Sequence, residues 1–194
     1  MKIQLIDRNK LMCEEWKEAF KDCPDVIVHH GDFFSLPADC IVSPANSFGF
    51  MDGGLDYVIT KKVGTKTQEK LQKLLDEKYF GELLVGQAVL IETEFPEIPY
   101  CISAPTMRVS LKIGGTVNVY LAAKAIFRVI MENAQLQTIT ISGLGTGVGG
   151  VFEVICAQQM RTAYNETILD KQKKFNSFKE ACDEHVALLV RIKQ

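Results

Sequence analysis

No run in this chain approaches the roughly 18 consecutive apolar residues of a membrane-spanning helix. Its opening decapeptide, MKIQLIDRNK, alternates like a strand and lacks the apolar core of a secretory leader. The cytoplasm is the expected location, with no membrane partner. Cysteine occurs, but never in pairs: Cys13, Cys23, Cys40, Cys101, Cys156 and Cys182 stand at least ten positions apart, which excludes zinc-ligand and redox spacing. Reduced thiols packed in the core are expected instead. His29, His30 and His185 form no spaced ligand set, so no metal site is expected. Basic excess is missing as well. The 22 Lys and Arg face 24 Asp and Glu, for a net charge of −2, and such a chain has no global field for duplex nucleic acid. A Gly-Lys pair followed by Ser or Thr is also absent, which excludes a Walker-type phosphate loop.

What is present is an ordinary globular composition. With 194 residues, 47% of them hydrophobic, the chain is long enough to bury a proper core, and residues 1–194 read as one domain. Strand-like apolar runs fall at Ile3 to Ile6, Val26 to His29, Cys40 to Val42, Gln87 to Glu92, Tyr100 to Ala104 and Thr138 to Ser142. Between most of them lie stripes at helical spacing: Met12, Trp16, Ala19 and Phe20; Leu71, Leu74, Leu75 and Tyr79; Val119, Ala122, Ala123, Ile126 and Ile130; Phe152, Cys156, Met160 and Ala163. Phe178, Cys182, His185, Leu189 and Ile192 fit a closing helix over about 176–192. The alternation predicts an α/β fold, a three-layer α/β/α sandwich around a mixed, mostly parallel sheet.

In such folds ligands sit at the carboxyl ends of the parallel strands, and two connections there are unusual. The first, SPANSFGFMDGGLDYVIT from Ser43 to Thr60, is longer than a plain connection, apolar at Phe48, Phe50 and Met51, and still carries isolated polar groups. Leu55, Val58, Ile59 and Val63 recur at helical spacing at its end. The second, SGLGTGVGG from Ser142 to Gly150, places five glycines in nine residues between a strand and an amphipathic helix. Such glycines allow close approach of a ligand to backbone amides, and the following helix start favours an anion. A tight turn without a ligand would account for part of the same pattern. Gly145, Gly147 and Gly150 match G-x-G-x-x-G, but the polar segment NETILDKQKKFN follows where a dinucleotide fold needs another strand and acid. Neither loop contains Lys or Arg, so any phosphate there is held by backbone amides and helix ends.

Four motifs in order, His30-Gly31-Asp32-Phe33, Ile41-Val42-Ser43-Pro44-Ala45-Asn46, Gly53-Gly54-Leu55-Asp56 and Gly145-Thr146-Gly147-Val148, resemble the signature of macro domains. The resemblance covers about Val26 to Tyr164. It implies an α/β/α module that binds ADP-ribose or an ADP-ribosylated substrate, without a cofactor, and that probes nucleic acid only as an ADP-ribosylated substrate. By the same resemblance Asp32 accepts from the adenine amino group beside Phe33. Asn46, next to Ala45, touches the distal ribose. Gly53, Gly54 and Leu55 form the first phosphate loop, and Gly143, Gly145, Thr146, Gly147 and Val148 the second. Asp56 stands at the position of the acid in hydrolytic members, which makes Asn46 and Asp56 the catalytic candidates for hydrolysis of ADP-ribosyl linkages; a non-catalytic reader of ADP-ribose is the alternative. The pattern is broken at Ser43, where an Asn is usual, at Met51-Asp52, at Thr60 in place of a His, and at Gly149, which lacks the usual aromatic. Phe48 or Phe50 could supply the missing ring. Read from the residues alone, Asp32 equally suits an Asx-type turn, Asp56 a helix start, Asp52 a solvated loop, and Phe48, Phe50 and Met51 an apolar covering of the core.

Overall fold

The structure, a computed structural model, describes residues 1–190. Twelve elements follow one another: β1 (Lys2–Asp7), α1 (Lys10–Ala19), β2 (Val26–His30), β3 (Cys40–Ser43), α2 (Gly54–Val63), α3 (Lys66–Lys78), β4 (Val89–Glu92), β5 (Tyr100–Ser103), α4 (Asn118–Glu132), β6 (Thr138–Ile141), α5 (Glu153–Thr167) and α6 (Phe178–Leu189). Each of the predicted strands and helices is present. Ile192, assigned to the closing helix, lies outside the described residues.

The sheet order is β2-β1-β6-β3-β5-β4, with only β4 antiparallel to its neighbour β5. The central strands read as unbroken apolar runs because both faces are covered; all four residues of β3 are buried. Alternation divides them. Cys40 and Val42 join Ile102, Ile139 and Ile141 in the core under α1, α4 and α5, which includes Trp16, Ile126 and Met160. Ile41 and Cys101 join Ile59, Val63, Leu71 and Leu75 in the core under α2 and α3. This is the three-layer α/β/α arrangement. Five cysteines are buried, but Cys182 on α6 is exposed, because it sits on a helix that buries little besides Leu188. That position corrects the expectation of uniformly buried thiols.

From β1 the chain leaves through α1 toward one edge, and from β3 it leaves through α2 and α3 toward the other. β6 lies between the two strands. Connections diverging in this way open a crevice at the carboxyl ends of the strands.

Candidate functional site

A cleft of about 440 Å³ occupies this crevice, within the range of small-molecule sites. Its walls come from the segments that follow β1, β2, β3, β5 and β6. Every residue assigned from the sequence to ligand binding or catalysis lines it: Asn46 and Asp56, Asp32, Phe33 and Ala45, Gly53, Gly54 and Leu55, and Gly143, Gly145, Thr146, Gly147 and Val148.

The first loop is shaped by Asn46. Its side-chain Oδ1 accepts from the Phe48 and Phe50 N–H groups at 3.0 and 3.3 Å, while Nδ2 donates to the Phe50 carbonyl at 2.7 Å. The amide expected on a ribose is thus largely committed to closing the turn, with one N–H left. Phe48 lies under the Arg108 guanidinium, 4.9 Å from ring centre to carbon, and does not line the cleft. Phe50 lines it and is 52% exposed, whereas Met51 is buried in the core. Thr60 Oγ1 donates to the Met51 carbonyl at 2.9 Å and fixes the loop's exit.

Helix α2 then begins without a side-chain cap, leaving the amides of its first turn free for a ligand. Gly54 has φ +54°, a left-handed conformation natural to glycine. Asp56 sits in that first turn. It is 8% exposed, and its Oδ1 accepts from Ser43 Oγ at 2.5 Å. Burial pushes its carboxyl up to about 6; the Ser43 hydroxyl pulls the other way, and neighbouring Asp52 adds to the rise.

In the second loop Gly145 has φ +68°, and a Cβ at Gly149 would stand 2.4 Å from the Gly145 carbonyl oxygen, so the tight fold needs glycine at both. Val151 N–H donates to Gly145 O, and Gly150 N–H to Gly147 O. The Thr146, Gly147 and Val148 amides have no partner among the described residues. Gly143 differs: its N–H donates to Asp7 Oδ2 at 3.1 Å, so this amide anchors the loop.

Asp7 and Arg8 were not singled out in the sequence. Arg8 donates to Asp32 Oδ2, while Asp32 Oδ1 accepts from Phe34 N–H at 2.9 Å in an Asx turn. These bonds, the Phe34 amide first, hold the Asp32 carboxyl below its usual range. Among the described residues Arg8 is the one Lys or Arg that lines the cleft, beside Asp7, Asp32, Asp52 and Asp56. The sequence did carry a signal for this turn, since Asp7-Arg8-Asn9 ends a strand just as the other two loops do. Among the described residues no cluster of metal-ligating side chains occurs and no helix is long and apolar enough to cross a membrane.

The Macro domain family model matches residues 42–160. An uncharacterized protein of Aquifex aeolicus is 33% identical over 136 residues, covering 70% of this chain and 78% of its own. Another, from Aeropyrum pernix, is 28% identical over 124 residues, 64% of this chain and 62% of its own. Among solved structures, the macrodomain of Mycobacterium tuberculosis DarG superposes with a TM-score of 0.60 at 19% identity, covering 70% of this chain and 87% of its own. A variant of the Oceanobacillus iheyensis macrodomain with ADPR gives a TM-score of 0.60 at 17% identity, covering 82% and 90%.

Proposed function

Since the chain belongs to the macro domain family, we propose that its cleft binds ADP-ribose and hydrolyses an ADP-ribosyl linkage. One observation carries the reading: unpartnered amides of two glycine-rich segments, the start of α2 and the Thr146 to Val148 turn, line a single cleft beside a buried carboxylate. Amides and helix starts suit a diphosphate, and the Oceanobacillus protein was solved with ADPR. Asp32 is the acceptor for an adenine amino group, displacing Arg8.

Asp56 supplies the chemistry. Its carboxyl, near 6, is mostly ionised at neutral pH and still basic enough to take a proton. A water attacks the distal anomeric carbon as Asp56 removes its proton. The bond from that carbon to the leaving group breaks, and the proton taken up by Asp56 passes through solvent to the departing oxygen, which regenerates the carboxylate. Asn46 acts by shaping the loop that holds Phe50 and the α2 start.

The non-catalytic reading is favoured by the commitment of the Asn46 amide to its own loop. Calorimetry with ADP-ribose, then turnover assays on ADP-ribosylated protein and ADP-ribose 1″-phosphate, separate the two. Binding with turnover of either substrate supports the hydrolase; binding alone supports the reader. Absence of binding overturns both.

A further inference from the structure

We propose that Ser43 is a positioning residue, which holds one oxygen of the Asp56 carboxylate so that the other is presented to the cleft; the functional meaning rests on the hydrolase reading. The argument starts with an odd residue in an apolar strand. Ser43 closes β3 and is fully buried, where a hydroxyl without a partner is costly. Strand alternation gives it the face of Ile41, which packs under α2. There its Oγ donates to Asp56 Oδ1 at 2.5 Å, the length of a charge-assisted bond to a carboxylate.

The two oxygens of Asp56 therefore differ. Oδ1 is held from behind the cleft wall. Oδ2 has no partner among the described residues, yet it is not among their buried unpartnered atoms, so solvent reaches it, and Asp56 lines the cleft. A carboxylate fixed at one oxygen and open at the other has the form of a preorganised base.

Among side chains, Ser43 is the group that favours the ionised form, beside the dipole of the α2 start, in whose first turn Asp56 stands. Burial and Asp52 both oppose ionisation. From β5 comes Cys101, whose thiol burial pushes up to about 12 and which therefore stays neutral. Directly opposite Ser43 in the register stands Ser103, whose buried Oγ has no partner. The bond to Asp56 is thus specific to one of two neighbouring hydroxyls, which provides an internal control.

The test is a carbon-detected titration of the Asp56 carboxyl in the ligand-free protein, assigned through Asp56→Asn, in wild type, Ser43→Ala, Ser43→Thr and Ser103→Ala. The midpoint should rise by about one pH unit in Ser43→Ala, the scale of one lost hydrogen bond to a carboxylate. It should return toward wild type in Ser43→Thr and stay unmoved in Ser103→Ala. In turnover assays the acid limb of the Ser43→Ala profile should shift by the same amount, with kcat about tenfold lower below the limb and KM unchanged. Ser43→Cys, a weaker donor, serves the same comparison if the alanine variant does not fold. An unmoved midpoint in folded Ser43→Ala, or an equal shift in Ser103→Ala, overturns the proposal. A shifted midpoint in a protein that binds ADP-ribose and turns over nothing supports the positioning role while refuting the hydrolase.

Discussion

Arg8 lays its guanidinium on Asp32 from the short turn after β1, yet both side chains are open to water, at 80% and 45% exposure. Exposed pairs of this kind are worth about 0–1 kcal/mol. Releasing Asp32 to an adenine amino group therefore costs little, and the loss of a nearby cation is small as well. Arg8→Ala should change ADP-ribose affinity less than about fivefold, whereas Asp32→Ala, which deletes a charged acceptor, should weaken it by about 1.5 to 3 kcal/mol. Calorimetry decides, and a loss at Arg8 matching that at Asp32 would place the guanidinium on the ligand itself. Asp56 gives a second expectation. Its folded-state pKa of about 6 lies above the unfolded value near 3.9, so the folded protein holds the proton more tightly. That contribution is complete below the unfolded pKa and is lost as pH rises through 6. At about 1.4 kcal/mol per unit, ionisation costs the fold up to roughly 3 kcal/mol at pH 8. Asp56→Asn keeps an acceptor for Ser43 and carries no charge. It should be more stable than wild type at pH 8, about equal near pH 4, and at least about a hundredfold slower in turnover. Urea titrations at the two pH values read the first part; equal gains at both would remove the charge as the cause.

The strands were legible because central strands of a covered sheet must be apolar on both faces, and the helices because each buries one stripe. Their ends were less so. Gln87 and Ala88 precede β4 because Gln87 N–H is taken by the Leu84 carbonyl in a turn, and Ser142 leaves β6 as the chain turns to Gly143, held by Asp7. The candidate loops were visible as glycine and apolar residues where plain connections are polar. The bonds of Arg8 to Asp32, of Asp7 to Gly143 and of Ser43 to Asp56 were not, since they join segments whose approach only the folded sheet sets. The position-specific roles of the glycines were likewise invisible in the string SGLGTGVGG. At Gly147 a Cβ would meet no atom within 4 Å, while at Gly149 it would stand 2.4 Å from a backbone oxygen. Gly147→Val should leave the unfolding midpoint unchanged yet fill the cradle, lowering ADP-ribose affinity about a hundredfold or more. Gly149→Ala should instead lower stability by about 1–3 kcal/mol as the loop shifts to accommodate it. Thermal melts and calorimetry on the pair check both, and retained binding in Gly147→Val would sink the amide cradle.

On the scale of the molecule, the cleft depends on where the chain reverses direction across the sheet, and α6 takes no part in that reversal. Its lining ends at Gly149, and the family match ends at residue 160. Helix α6 packs on α5 instead, burying Leu188. Gln158 Nε2 donates to the Ala187 and Val190 carbonyls, and Gln159 Nε2 to that of Leu188. Buried Gln159 has other partners: its Nε2 also meets the Thr116 carbonyl, and its Oε1 accepts from Tyr120 N–H. Removing α6 would therefore not strand that amide. The main loss is the burial of one leucine, about 1.5–3 kcal/mol, which for a domain of this size lowers the melting temperature by about 3–12 °C. A chain ending after Gln172 should fold cooperatively, melt lower by that margin, and bind ADP-ribose within twofold of the full chain. Calorimetric melting and titration of the two lengths test it. A truncated protein that folds but loses affinity would show that α6 holds α5, and through it the second glycine loop, in place.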